Sequence, residues 1–211
     1  MNIIRKPFQY RYSNVVLILI LINGLVFLAE ILMRNFPVIA YLSMRPALVI
    51  SKGYIWQFVT YMFVHDPRSI SHILFNMFAL FVFGVNVERH MGSREFLLYY
   101  FFCGIMAGIF SFAVYVFTGN FWVALMGASG STFAVQLAYA VFFPRSTIFL
   151  WGILPLKAPV MVLGFTALEV FFMFTGRAGN VAHITHLAGF AFGWLYFVVR
   201  FGIKPWREMR K

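Results

Sequence analysis

Acidic residues and cysteine are scarce in this chain. Among its 211 residues there are 6 acidic residues and 17 lysines and arginines, and the single cysteine is Cys103. One cysteine excludes an internal disulfide, and we interpret Cys103 as a small packing residue. The net charge of +11 could suggest a nucleic-acid partner, but the basic residues are scattered between apolar segments rather than gathered on one face. We therefore expect no nucleic-acid partner.

The composition is that of a membrane protein. Hydrophobic residues make up 62% of the chain and charged residues 11%, which a water-soluble domain of this size could not bury in one core. A helix needs about 20 mostly apolar residues to cross a bilayer. We expect an all-α polytopic fold, one membrane domain over residues 1–211. The apolar segments predict six transmembrane helices, over residues 15–32, 70–87, 96–117, 128–143, 159–175 and 184–201.

The basic residues predict the orientation of these helices. An even number of spans puts both termini on one side, and that side holds 12 of the 17 basic residues: Arg5, Lys6, Arg11, Arg89, Arg94, Arg145, Lys157, Arg200, Lys204, Arg207, Arg210 and Lys211. The other side keeps Arg34, Arg45, Lys52, Arg68 and Arg177. Because basic residues favour short cytoplasmic loops, we expect both termini in the cytoplasm, in the inner (plasma) membrane of a prokaryote.

Three groups of polar residues fall in or beside the predicted spans. His72 and Asn76 are four residues apart and share a helix face, Ser129 begins the fourth span, and His183 and His186 are one turn apart in the sixth. Singly, each could be a structural hydrogen-bonding residue. Together they could form a site in which an imidazole takes the proton of a nucleophilic serine and polar donors stabilise an oxyanion.

Glycines surround both candidate catalytic residues. Gly127 and Gly130 flank Ser129 where the fourth span begins, so the serine lies near unpaired backbone N–H groups of a helix N-terminus. In the sixth span, His186, Gly189 and Gly193 follow the pattern HxxGxxxG, and glycines four apart allow another helix to approach closely. If that neighbour is the fourth helix, His186 would be brought against Ser129.

Short motifs in the chain resemble those of the rhomboid intramembrane serine proteases. "GASG" is similar to the family's GxSG, "HILFN" to its HxxxN and "HLAGFAFG" to its HxxGxxxG, and "MGSREFLLYYFFCGIMAG" is similar to its passage into the third span. Each motif alone is weak, but their order on spans two, four and six makes the joint pattern specific. The resemblance implies a bundle of six transmembrane helices with an active site below the outer membrane surface.

The resemblance also implies residue roles. Ser129 would be the nucleophile and His186 the general base, in a dyad without an acidic third member. The oxyanion would be bound by the Ser129 backbone N–H and the side chains of His72 and Asn76, with Gly127, Gly130 and Gly189 in supporting positions. Substrates would be transmembrane segments of proteins in the lipid bilayer, and no cofactor or metal is expected. The fifth helix (159–175) and the loop "GRAGNVAH" would act as gate and cap.

Two positions depart from the family's pattern. The family often has Trp-Arg in the first outer loop, whereas Gln57 follows Trp56 here, and His65 is spaced further from His72 than in the family. Two other residues could compete for a catalytic role. We interpret His183 as a structural hydrogen-bonding residue, and Glu169 as a buried structural partner or a residue near the interface.

Two alternatives to a protease remain open at this stage. One is a catalytically inactive relative that binds transmembrane clients, although such proteins usually lack the serine or the histidine. The other is a transporter or a zinc site formed by His72, His183 and His186. We expect no carboxylate beside these histidines, and the glycine-flanked Ser129 would have no purpose in such a site.

Overall fold

The computed structural model describes residues 7–33, 38–150, 152–175 and 180–211. Several predicted features lie outside these residues: Arg5, Lys6, Arg34 and Arg177, together with residues 176–179 of the expected cap loop. The described helices are α1 (Val15–Leu32), α2 (Val38–Leu42), α3 (Pro46–Lys52), α4 (Gln57–Thr60), α5 (Ile70–Ala79), α6 (Val85–Met91), α7 (Ser93–Phe117), α8 (Ser129–Phe142), α9 (Ala158–Thr175), α10 (Asn180–Tyr196) and α11 (Pro205–Glu208).

Two of the long helices contain π-helical segments. Leu80–Gly84 joins α5 to α6, so that the chain is one continuous helix over Ile70–Met91, and Phe197–Phe201 continues α10. The predicted segments over residues 15–32, 70–87, 96–117, 159–175 and 184–201 correspond to these helices within a few residues. Hydrophobic runs therefore located the long helices well, because apolar length is what a bilayer requires.

Within the described residues, five helices are long and apolar enough to cross a membrane, compared with the six that we predicted. The remaining one, α8, has 14 residues and a length of about 21 Å, shorter than a hydrocarbon core of about 30 Å. Ten of its residues are buried, so α8 lies inside the bundle rather than on its surface. The fold is that of a polytopic, mostly helical membrane protein, as expected.

Glycine contacts hold α8 against α10. A Cβ added to Gly189 would lie 2.1 Å from the backbone oxygen of Gly130, a distance that side-chain carbons do not adopt. A Cβ on Gly130 would in turn meet Ala107 at 3.2 Å and Thr185 at 3.3 Å. The two helices thus touch backbone to backbone, which confirms the fourth helix as the neighbour of the HxxGxxxG groove.

Two buried carboxylates are fully paired at the end of the bundle where α1 begins and α6 ends. Glu88 accepts hydrogen bonds from the backbone N–H groups of Val15 and Val16, at 2.9 and 3.0 Å, and from the hydroxyl of Ser93. Glu95 accepts two hydrogen bonds from the guanidinium of Arg200, at 2.8 and 2.9 Å. These contacts fasten the start of α1 to the end of α6 and the beginning of α7, and the π-helical segment after α10 to the beginning of α7.

The segment between α1 and α5 packs through polar contacts to its own backbone. Gln57 is fully buried, and its amide accepts from the Arg45 N–H at 3.0 Å and donates to the carbonyls of Ala40 and Tyr41, both at 3.1 Å. The Trp56 indole also donates to the Tyr41 carbonyl, at 3.1 Å. Gln57 therefore anchors this segment with neutral hydrogen bonds.

A short β-hairpin contains the only two strands among the described residues. Strands β1 (Thr147–Leu150) and β2 (Leu154–Lys157) pair antiparallel between α8 and α9. The Lys157 ammonium donates to the Arg145 carbonyl at 2.9 Å, which ties the base of the hairpin together. This connection lies at the end of the molecule opposite to Ser129.

Candidate active site

A tight turn presents Ser129 at the start of α8. Gly127 has a φ of +114°, and its backbone N–H donates to the Tyr61 carbonyl at 2.9 Å. A Cβ at Gly127 would lie 2.8 Å from His72 Nε2 and 3.8 Å from Ser129 Oγ. The imidazole of His72 and the hydroxyl of Ser129 thus converge on one glycine that no other residue could replace without strain. As the first residue of α8, Ser129 has a backbone N–H without an intrahelical acceptor.

An aromatic ring on α8 holds His186. The imidazole stacks on Phe133 with ring centroids 4.3 Å apart and planes 10° from parallel. Phe133 is four residues after Ser129, so the two share a face of α8. His186 therefore lies over the face of α8 that bears Ser129.

Glu169 of α9 contacts both histidines of α10. Its Oε2 lies 2.5 Å from His183 Nδ1 in a hydrogen bond, and its Oε1 lies 3.0 Å from His186 Nδ1. The second contact is short, but it does not have the direction of a hydrogen bond from that ring nitrogen. The expectation that no carboxylate lies beside these histidines is wrong. The hydrogen bond agrees with a structural role for His183.

These three side chains could hold a metal ion. Glu169, His183 and His186 each offer one ligand atom, and these atoms lie within 4.8 Å of one another. The zinc site considered from the sequence consisted of His72, His183 and His186, so it had His72 in place of Glu169. His72 instead faces the Gly127 turn.

Asn76 connects α5 to α8 beneath His72. Its side-chain N–H donates to the His72 carbonyl at 2.9 Å, and its Oδ1 accepts from the Thr132 hydroxyl at 3.3 Å. An amide nitrogen carries two donors, and the hydrogen bond to His72 uses one of those of Asn76. His72 and Asn76 thus lie at the same end of the bundle as Ser129.

A second carboxylate, Glu30 of α1, supports the segment before α5. The backbone N–H of His65 donates to its two oxygens at 3.3 and 3.4 Å. The His65 ring is fully buried and meets His72 edge to face, with centroids 5.1 Å apart. Burial, and then the nearby His72, lower the pKa of His65 to about 4, so this imidazole is neutral at physiological pH. His65 thus forms a wall behind His72.

Sequence reasoning missed three contributors to this site: Glu30, Phe133 and the contacts of Glu169. An acidic residue in the middle of an apolar helix is itself an indication, because a carboxylate inside a bilayer needs a partner. Phe133 gives no such indication, because a phenylalanine one turn after a serine is ordinary in an apolar helix.

The fold and the site together define a class of protein. A serine at the first turn of a buried helix shares a helix face with the phenylalanine on which His186 stacks, and a carboxylate lies beside that imidazole. A serine, an imidazole and a carboxylate are the residue types that serine hydrolases use.

The comparisons with known proteins identify the family. The family profile described as "Rhomboid domain" matches residues 52–203. The chain therefore belongs to the rhomboid family and is an integral, multi-pass membrane protein.

Relatives with related names support this assignment. The chain is 28% identical over 182 residues to the rhomboid protease GlpG of Haemophilus influenzae, covering 86% of this chain and 90% of that protein. It is 36% identical over 85 residues to the rhomboid protease GluP of Bacillus subtilis, covering 40% of this chain and 15% of that protein. It is 27% identical over 129 residues to the presenilin-associated rhomboid-like protein A, mitochondrial, of Danio rerio, covering 61% and 30%.

Proposed function

We propose that this protein is an intramembrane serine endopeptidase that hydrolyses peptide bonds in or near transmembrane segments of other membrane proteins. The observation that carries the proposal is the position of His186. Its ring lies flat on Phe133, one turn from Ser129, where Gly189 and Gly130 let the two helices touch. Two of the named relatives are proteases, which supports the same chemistry.

In the proposed mechanism, the Ser129 hydroxyl attacks the scissile carbonyl while His186 Nε2 takes its proton. The new C–O bond forms as the carbonyl π electrons move to oxygen. The Ser129 backbone N–H, His72 and Asn76 are the donors proposed for this oxyanion. His186 then gives the proton to the leaving amine as the C–N bond breaks. Water, activated by the same imidazole, hydrolyses the acyl-enzyme and restores Ser129.

Glu169 adds a carboxylate to the expected dyad. When His186 holds the serine proton it is an imidazolium, and a carboxylate oxygen 3.0 Å from its Nδ1 stabilises that charge. A small rotation of the ring would direct the Nδ1 proton at Glu169 Oε1. We therefore assign Glu169 as a positioning residue and leave His183 as the group that holds the carboxylate in place.

The same proposal includes the cellular setting. Ser129, His72 and His186 all lie near the start of helices that run from one end of the bundle, and Glu169 near the end of one that runs toward it. With both termini in the cytoplasm of a prokaryote, that end faces away from the cytoplasm, and one membrane domain over residues 1–211 carries the activity. The partners are the lipid bilayer and transmembrane protein substrates.

A fluorophosphonate probe and a model transmembrane substrate test the proposal. The purified wild-type protein should be labelled and should cut the substrate in the presence of a chelator, whereas Ser129→Ala should do neither. His186→Ala should abolish cleavage, while His183→Gln should retain part of it. If a folded wild-type protein is not labelled, the proposal is refuted, and the result favours a catalytically inactive relative that binds transmembrane clients. Loss of cleavage in His183→Gln with retention in His186→Ala would reassign the base.

A further inference from the structure

We propose that Glu169, His183 and His186 bind a divalent transition-metal ion such as Zn²⁺, and that the bound ion inhibits the protease by occupying its general base. The inhibitory half of this inference rests on the proposed function, because it requires His186 to act as the base. The metal-binding half stands on the donor set alone. It goes beyond the leading expectation from sequence, which was that no metal binds, and beyond the zinc alternative, which contained no carboxylate ligand.

The three donors come from two facing helices. His183 and His186 are three residues apart on α10 and so point to one side of that helix, toward Glu169 on α9. Two imidazoles and one carboxylate, with a fourth position open to water, form a ligand set that zinc adopts in proteins. In the structure Glu169 Oε2 lies 2.5 Å from His183 Nδ1, and Glu169 Oε1 lies 3.0 Å from His186 Nδ1. The three ligand atoms lie within 4.8 Å of one another. Bonds of about 2.1 Å to a common ion require shifts of roughly 1 Å, within reach of side-chain rotation.

Unused ring nitrogens mark the same cluster. Among the described residues, His183 Nε2 and His186 Nδ1 are buried and have no hydrogen-bond partner. His183 is only 7% exposed, so its ring cannot turn to bulk water. A buried imidazole nitrogen without a partner costs free energy, and a metal ion bound to His186 Nδ1 would use the lone pair of that atom.

The charge of the cluster also favours a cation. In the described part of the chain, the ion-pair contacts of Glu169 are to these two histidines, whereas Glu95 at the other end of the bundle pairs with Arg200. If both imidazoles are uncharged, Glu169 has no cationic partner among the described residues, in a region of low dielectric. A divalent ion supplies the missing positive charge at the shortest possible distance.

Coordination through Nδ1 would prevent His186 from acting as a base. A neutral imidazole carries one proton, and the metal takes the nitrogen that has the lone pair. With Nδ1 bound to the ion, the proton lies on Nε2, which then can only donate. The ring can no longer accept the proton of Ser129, and a second positive charge on it is disfavoured by the ion.

Cobalt binding to the inactive protein tests the site without any use of activity. Ser129→Ala in detergent, freed of metal by a chelator and dialysed, should bind one Co²⁺ per chain with visible absorption typical of tetrahedral coordination, and Zn²⁺ should displace it. Adding His183→Gln or Glu169→Gln to that variant should weaken binding by at least about tenfold. His90→Gln, far from the cluster, is the matched control and should bind like its parent.

Inhibition is then measured with the active protein. Zn²⁺ should suppress fluorophosphonate labelling of the wild type, EDTA should restore it, and in His183→Gln the inhibitory concentration should rise at least about tenfold. If wild type is labelled in EDTA but Ser129→Ala binds no Co²⁺, or if His183→Gln binds like its parent, the metal site is refuted and the protease stands. If Co²⁺ binds but wild type is not labelled in EDTA, the protease and the inhibition fail together.

Discussion

Replacing Gly189 with alanine should separate the two helices that carry the proposed catalytic residues. The added Cβ would lie 2.1 Å from the Gly130 backbone oxygen, whereas side-chain carbons do not approach closer than 3.0 Å. Because the obstacle is backbone, α10 must move from α8 by about 1 Å or more near His186. A displacement of that size between reacting groups costs about 100-fold in rate. The overpacking itself costs roughly 1–3 kcal/mol of stability.

Gly164→Ala is the matched control, since Gly164 also lies inside a helix but a Cβ there meets nothing within 4 Å. It should keep wild-type kcat/KM and should not lower Tm, because alanine is the better helix former. Both variants are compared by cleavage of a model transmembrane substrate and by thermal unfolding in detergent. Wild-type kcat/KM and Tm in Gly189→Ala would refute the close contact of α8 with α10. A lowered Tm with unchanged kcat/KM would refute only the claim that this contact positions His186.

Three further outcomes are expected. Glu169→Gln should lower kcat by at least about tenfold with little change in KM, because the carboxylate stabilises the His186 imidazolium rather than the bound substrate; an equal loss confined to KM would refute that role. Lowering the pH from 6.5 to about 4 should reduce the free energy of unfolding by about 3 kcal/mol through His65, because this side chain takes up a proton in the unfolded chain but not when it is buried. The variant His65→Gln should lack this part of the pH dependence of Tm. Gln57→Ala should cost about 1–3 kcal/mol, measured as a lower Tm, because it leaves buried backbone groups unpaired; an unchanged Tm would show that water replaces the amide.

The length of the apolar segments and the spacing of the glycines predicted most of the fold. The predicted helices over residues 15–32 and 159–175 coincide with α1 and α9 almost residue for residue, because a bilayer fixes the length of a span. The HxxGxxxG pattern also predicted the contact between α8 and α10, since only glycine allows it. By contrast, the sequence could not show that α8 is short and enclosed by other helices. A helix surrounded by protein and a helix surrounded by lipid both have apolar residues, so their sequences look alike.

Partners distant in sequence could not be predicted in the same way. Glu169 was recognised as a costly intramembrane charge, but nothing local indicated that its carboxylate lies between His183 and His186. The amide of Gln57 likewise finds its acceptors 16 and 17 residues away. Both are contacts of tertiary structure, which hydrophobic periodicity does not encode.

The two ends of the bundle treat their buried polar groups in opposite ways. Where the chain is described, Glu88 and Glu95 are saturated by backbone N–H groups, a hydroxyl and a guanidinium, whereas buried ring nitrogens of His65, His183 and His186 have no partner. Saturated groups fix a structure, since every donor and acceptor already has its bond. Groups left unsatisfied beside a nucleophile can bind something that comes and goes, such as water, a proton or an ion. This difference supports the proposal that the reaction takes place at the end that holds Ser129, whereas the paired carboxylates hold the helices together at the other end.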